Sequence, residues 1–225
     1  GQSKVVVHNE SSERMTIKGR SVDYVFTDPP FGGYIPYAEL NQINELWLGR
    51  TTDRTKEVIV SSSQSKGVAE YGEMLGSVFK EMARVLKPDG VATVVFHSAH
   101  SKVWRALTQA YALAGFTVEA TSVLDKIQAS FKQVVSTVSV KGDPLLLLSK
   151  RKKQVTAPRA RSFKLATKII RAASTSSDEE LNPQRLYSKY VNCCLEAGQD
   201  VDMDAGAFFA LVGAKRISLE LDVAP

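Results

Sequence analysis

The chain has 225 residues, 44% hydrophobic and 24% charged, values of a globular protein rather than a disordered or collagen-like one. Twenty-nine basic residues against 24 acidic ones leave a net charge of +5, a mild excess that is compatible with a nucleic-acid partner without requiring one. The longest apolar runs are a few residues, such as Leu145–Leu148, which excludes a membrane-spanning helix.

Length suits one domain, or one domain with an appendage. The two cysteines, Cys193 and Cys194, are adjacent. They match no zinc spacing and cannot form an ordinary disulfide with each other, so a reducing cytoplasm is the expected location.

Lys4-Val5-Val6-Val7-His8 reads as a short buried strand, and Asn9 to Met15 as a polar turn. After the turn Lys18–Ser21, the run Val22–Thr27 reads as a second strand. Its near-continuous apolar character suits a parallel strand covered on both faces. Asp28-Pro29-Pro30-Phe31 follows directly. Asp28 therefore falls just beyond the carboxyl end of a strand, where open α/β sheets place their ligands. Two successive prolines remove two N–H donors, so the stretch presents carbonyl acceptors and a carboxylate beside the flat ring of Phe31. A planar base with an exocyclic NH2 complements that arrangement. Its face stacks on Phe31, and its amino hydrogens meet Asp28 and the Pro29 carbonyl. Without a ligand the same residues read as a Pro-Pro turn closing a strand, with Phe31 in the core.

Gly32 and Gly33 open a loop carrying Tyr34 and Tyr37, expected to move and to lie near the base. Leu40, Ile43, Trp47 and Leu48 have helical spacing, and Gly49 ends the helix. Residues 50–69 are polar, and Ser61–Gly67 reads as flexible. Tyr71, Met74, Leu75, Val78, Phe79, Met82, Val85 and Leu86 mark the clearest amphipathic helix, stopped by the turn Lys87-Pro88-Asp89-Gly90. Val91–Phe96 is the next buried strand.

His97-Ser98-Ala99-His100 then lies on the same edge as Asp28. Neither histidine has metal-ligand spacing, and His97 is the one read as a contact to base or phosphate. Val103, Trp104, Leu107, Tyr111 and Leu113 form a helix ending at Gly115, and Phe116–Val123 a strand. Gln133–Val140 and Pro144–Leu148 read as a final antiparallel hairpin.

From Lys150 the composition changes. Lys150, Arg151, Lys152, Lys153, Arg159, Arg161 and Lys164 fall within fifteen residues that hold no acid. Such a run neutralises phosphates or serves as a solvated linker. Phe163, Leu165, Ile169 and Ile170 then suggest a helix. Ser177-Asp178-Glu179-Glu180 reads as a capping box before a second, with Leu186, Tyr187, Tyr190, Val191, Cys194 and Leu195. Asp202 or Asp204 would cap a third holding Phe208, Phe209, Leu211 and Val212. The division expected is an α/β domain over 1–150, and a basic linker with a helical appendage over 151–225.

Asp28-Pro29-Pro30-Phe31 resembles, at all four positions, the (D/N/S)-P-P-(Y/F/W) catalytic motif of the amino-group DNA methyltransferases. The stretch from Pro29 to Leu48 is similar to a subgroup of large prokaryotic DNA methylases. Ala83–Gly90 resembles a segment typical of class I methyltransferases of many substrates. The resemblance implies an α/β fold, the carboxyl-terminal part of a class I methyltransferase (Rossmann-like) sheet with a small helical appendage. It implies methyl transfer from S-adenosylmethionine to N6 of adenine or N4 of cytosine in DNA, on a base flipped out of the duplex. Asp28, Pro29, Pro30 and Phe31 would be catalytic. Asn9 or Glu10, with Asp28, would hold the cofactor. Tyr34, Tyr37, His97 and Phe131 would border the base. DNA is the implied partner, and restriction-modification an implied setting.

One part of the family pattern is not found: the glycine-rich cofactor turn of the type Asp/Asn-Pro-Phe-x-Gly-x-Gly. The chain is therefore expected to be part of a longer enzyme, inactive alone, whose cofactor side lies on a missing amino-terminal segment or a partner chain. The sheet edge left exposed would invite self-association. Two other readings stay open: an RNA guanine-N2 methyltransferase, and a non-catalytic DNA-binding or assembly module on a truncated methyltransferase fold.

Overall fold

A computed structural model describes residues 4–124, 142–151, 162–173 and 182–223. Among the described residues four strands make one sheet: β1 (Val22–Thr27), β2 (Leu86–Val95), β3 (Thr117–Leu124) and β4 (Asp143–Ser149). Their spatial order is β1-β2-β4-β3. β1 and β2 are parallel, while β4 runs antiparallel to both β2 and β3. This is the α/β arrangement expected, with the last strand inserted between the second and third.

The parallel pair needs a long crossover. It is supplied by residues 28–67 and helix α3 (Val68–Val85), whose apolar positions recur at helical spacing. Two short helices, α1 (Tyr37–Leu40) and α2 (Gln42–Trp47), precede it. Helix α4 (Ser101–Leu113) joins β2 to β3 and packs along α3. Three further helices follow: α5 (Ser162–Ala173), α6 (Pro183–Glu196) and α7 (Ala205–Val223). Their apolar side chains Ala166, Ile170, Leu186, Tyr187, Tyr190, Val191 and Phe208 join the same buried cluster as Phe79, Trp104, Leu107 and Leu146.

The sheet has two edges, managed differently. On β3, Glu196 of α6 accepts from the Thr121 backbone N–H at 3.1 Å and from its hydroxyl at 2.6 Å. Asn192 Nδ2 donates to the Ser122 carbonyl at 3.2 Å. A helix thus covers that edge. On β1 no such cover exists among the described residues. Tyr24 and Phe26 are 51% and 63% exposed, so β1 is a parallel strand buried on one side only, not on both as its composition suggested.

Four other expectations are corrected. Lys4–His8 forms no strand: Val5, Val6 and Val7 stay exposed, because the chain there finds no strand to pair with. The helix expected through Leu48 is broken at Asn41, and its stripe Leu40, Ile43, Trp47 and Leu48 faces outward. Lys87–Gly90 is not a turn between helix and strand but a bulge inside β2. Leu86 faces Val22 and Val91 faces Tyr24, so extra residues on β2 loop out between two pairings. A Cβ at Gly90 would lie 3.0–3.1 Å from the carbonyl oxygens of Asp23 and Val22, which is why glycine sits there. Lys150, counted in the basic run, donates to the carbonyls of Ala83 and Leu86 at 3.1 and 2.7 Å, closing the end of α3.

The stretch Gln133–Val140, the capping box at Ser177–Glu180 and most of the basic run lie outside the described residues. The second appendage helix is capped by Asn182, whose Oδ1 accepts from Gln184 N at 2.9 Å, with Pro183 at the first helical position.

The segment before β1 is fastened to the far end of α3. Arg84 donates to the carbonyls of Met15 and Ile17 at 3.0 and 2.8 Å and pairs with Glu81 at 2.7 Å. Glu81 in turn accepts from Met15 N at 2.7 Å. The Arg84 hydrogen bonds, joined by the Met15 N–H, hold the Glu81 carboxyl down at about 2 from an ordinary 4.5. A depressed folded-state value means a stabilisation present above pH 4.5 and lost as pH falls from 4.5 towards 2. Urea unfolding followed across that window should show stability falling as acid is added, and Glu81→Gln should flatten the fall. An unchanged slope in the variant would show that another carboxyl carries it.

Candidate base-binding site

The register of β1 on β2 decides what meets at the sheet's carboxyl edge. Thr27 lies opposite Val94, so Asp28 and Phe31 leave β1 where Phe96 and His97 leave β2. β4 runs the other way and begins there: Phe96 N donates to the Pro144 carbonyl at 3.0 Å, which brings in Asp143. Three strands therefore deliver Asp28–Phe31, Phe96–His97 and Asp143 to one place.

Asp28 is exposed at this edge. Phe31 is half-buried among rings. Its centroid is 5.3 Å from Phe96 in an edge-to-face contact, 6.0 Å from His97 and 6.3 Å from Tyr34. Tyr34 and His97 are also 6.0 Å apart, at 72°. Phe96 packs edge-on against Trp104 at 5.0 Å, and the Trp104 indole N–H donates to the Ser98 carbonyl at 2.9 Å. Such tilted contacts are the favoured aromatic geometry and give the wall a fixed shape.

The Pro-Pro segment is held from below. Tyr71 of α3 donates its hydroxyl to the Pro30 carbonyl at 2.5 Å, and Gly32 N donates to the same oxygen at 3.1 Å. Burial pushes the Tyr71 phenol well above its ordinary value, so it stays a donor at any working pH. Tyr71 and Gly32 thus both engage the Pro30 oxygen.

The loop after Phe31 packs against a second one. Gly32 takes a positive φ of 67°, and its carbonyl accepts from Val60 N at 3.3 Å. A Cβ on Gly33 would lie 2.6 Å from the Val60 carbonyl oxygen, so glycine permits this approach. Residues 54–66 form that second loop. Glu57 accepts from Ala38 N at 3.0 Å and from Gln64 at 2.6 Å, and Lys66 donates to the carbonyls of Arg54 and Glu57 at 2.7 and 2.6 Å. The segment read as flexible is a folded buttress, built from polar contacts that hydrophobic patterning does not register.

His97 and Asp143 are almost fully buried, and His97 Nδ1 lies 3.3 Å from Asp143 Oδ1. Of the residues singled out in the sequence, Phe31, Tyr34 and His97 share one cluster beside Asp28. Tyr37 is exposed at the start of α1. Asn9 and Glu10 are not brought there. Glu10 accepts from Thr16 N at 2.8 Å and feels the charge of Glu81, which puts it by the amino-terminal end of β1. Phe131 lies outside the described residues. Tyr71 and Asp143 were not foreseen. Tyr71 is hidden in an apolar helical stripe, and Asp143 carries only the signal of an acid opening the Pro144–Leu148 run.

A family model described as DNA methylase, N6_N4_Mtase, matches residues 22–197. The chain belongs to this DNA methylase family. Among solved structures it is similar to PvuII DNA methyltransferase (cytosine-N4-specific), at 14% identity and a TM-score of 0.41, covering 88% of this chain and 86% of that one. It is also similar to a Thermus thermophilus protein provisionally named a DNA modification methylase, at 15% identity and a TM-score of 0.35, covering 67% and 55%. A third likeness is to the antibiotic-resistance methyltransferase Kmr, at 15% identity and a TM-score of 0.31, covering 64% and 61%. The chain spans about half the length of the Thermus protein. No curated protein matches it in sequence.

In this DNA methylase family member the Asp-Pro-Pro-Phe segment is a rigid ledge, fixed by one phenol below and one loop beside it. Tyr71→Phe removes a partly buried hydrogen bond and should cost about 1 kcal/mol in urea unfolding. Gly33→Ala should cost more, because the obstacle is backbone. Equal stability of the alanine variant would mean that the two loops separate readily.

Proposed function

We propose that the chain carries the base-accepting side of an amino-group DNA methyltransferase, acting on N6 of adenine or N4 of cytosine. The observation that carries this reading is the position of Asp28-Pro29-Pro30-Phe31 at the carboxyl edge of β1, beside the rings of Tyr34, Phe96 and His97. The exocyclic amine of either base is a poor nucleophile, because its lone pair is delocalised into the ring. Hydrogen bonds from its two hydrogens to Asp28 and the Pro29 carbonyl would draw the nitrogen towards tetrahedral geometry and localise the pair. Fixed acceptors of this kind need no reorganisation during reaction, which is where their catalytic value lies. The aromatic wall suits a base taken out of the duplex, since the amine is not reachable in line within it.

S-adenosylmethionine is the methyl donor that this reading requires, and it would supply an already activated methyl group. The three residues singled out for it are not brought together. Of the three candidates only Asp28 lies at the carboxyl edge, while Asn9 and Glu10 belong to the segment fastened at the other end of β1. No step is therefore assigned to a cofactor-side residue of this chain. That mismatch favours a second form of the reading, in which the chain works beside another segment or chain. The uncovered edge of β1, with Tyr24 and Phe26, is where such a neighbour or a second copy would pair.

Two experiments bear on this. Tritiated methyl transfer to unmethylated genomic DNA, by an assembly containing this chain, should fall roughly 100-fold or more in Asp28→Ala with cofactor affinity nearly unchanged. Retained turnover would end the assignment. Sedimentation of the chain alone should show association that Phe26→Lys abolishes. A strictly monomeric parent would remove the edge-pairing proposal and leave the base site untouched.

A further inference from the structure

The chemistry above uses His97 only as one ring of the wall, and the buried Asp143 beside it not at all. Among the described residues the pair holds the one histidine withdrawn from solvent, His8 and His100 being exposed. Burying a carboxylate and an imidazole costs free energy unless each meets a partner. Here each faces the other at 3.3 Å, and the Nδ1 atom makes no regular hydrogen bond. A pair serving the core alone could be replaced by apolar side chains. This one lies at the carboxyl edge instead, with the imidazole 6.0 Å from both Phe31 and Tyr34. Asp143 is held from both sides. The Pro144 carbonyl accepts from Phe96 N at 3.0 Å, and Ser188 of α6 reaches the Gly142 carbonyl at 3.5 Å.

A carboxylate only accepts, so a hydrogen bond across that 3.3 Å gap would require the proton on Nδ1. The other nitrogen, Nε2, is then the atom with which the ring can meet a ligand. We propose that Asp143 and His97 form a base-reading arm, in which Nε2–H donates to the ring nitrogen next to the exocyclic amine. Asp143 acts as the positioning residue. This rests on the reading of Asp28–Phe31 as the base site. It adds what that reading lacks, a donor. Adenine and cytosine both present an amine beside an unprotonated ring nitrogen, N1 and N3 respectively. Asp28 and Pro29 match the amine, and His97 matches the nitrogen. Thymine fails on both counts, because it carries an oxygen and a ring N–H there. Donation from both nitrogens makes the ring a cation, and the adjacent Asp143 carboxylate is the counter-charge that this arrangement supplies.

The test is nitrogen NMR of the imidazole in the full chain, titrated with single-stranded oligodeoxyadenylate, oligodeoxycytidylate and oligodeoxythymidylate. Single strands remove the cost of flipping. The adenylate or cytidylate oligomer should move His97 Nε2 to a hydrogen-bonded, doubly protonated signature, and thymidylate should leave it unmoved. A preference of about tenfold for the amine-bearing oligomer should vanish in His97→Leu. Asp143→Asn should erase the signature in the bound protein, and its persistence there would overturn the positioning role. Binding that Phe31→Ala weakens while His97 stays silent would overturn the arm and leave the base site standing. Absence of any Phe31-dependent binding would overturn both.

Discussion

The pairing of β1 with β2 is the constraint on which everything else at the site depends. It is a parallel pair, so the two carboxyl ends lie side by side, and only a parallel pair achieves this. Its register is set by the close passage of Gly90 beneath the carbonyls of Val22 and Asp23, with the extra residues of β2 looped out before regular pairing begins at Tyr24 and Val91. A one-residue slip would turn Phe96 and its neighbours to the opposite face. The aromatic wall around Phe31 would then be lost although every residue of the motif was still present. The tetrapeptide is local in sequence, but the cluster of rings around it is made by this long-range pairing.

That distinction explains how much could be read beforehand. The strand Val22–Thr27, the helix beginning near Tyr71 and the place of Asp28 at a strand end follow from hydrophobic period and proline chemistry, and the fold bears them out. Phe31, Tyr34 and His97 were legible as neighbours because each follows a strand end by a few residues. Asp143 was not. Its position depends on β4 running antiparallel between β2 and β3, so that its first residue arrives where β2 ends. Nothing in the run Pro144–Leu148 fixes that direction. Tyr71 was hidden for another reason: its helical spacing marks it as apolar, and a phenol can satisfy the stripe with its ring while its hydroxyl reaches Pro30.

The misread segments share a physical cause. Lys4–His8 has strand composition, but a strand exists only with a partner, and composition cannot supply one. Ser61–Gly67 has the composition of a flexible loop, but the carbonyls of Arg54 and Glu57 and the amide oxygen of Gln64 gather around Lys66, which fastens it. In both cases what decides is a partner elsewhere in the chain, absent for the first segment among the described residues and present for the second.

Tyr24 and Phe26 on β1, and Leu40, Ile43, Leu46 and Trp47 on α1 and α2, are large, apolar and exposed. Singly such residues are ordinary on a surface, but several on consecutive elements are not. The opposite edge of the same sheet is covered by α6, through Glu196 and Asn192. The two edges thus differ in kind. One is finished with polar contacts that satisfy backbone groups, and the other is left apolar and unpaired among the described residues. An edge strand carrying no charge between Asp23 and Asp28 has none of the features that discourage pairing. The side of the molecule that carries Asp28–Phe31 is packed with rings and held by hydrogen bonds to Pro30 and Gly32. The side next to it is apolar and exposed among the described residues.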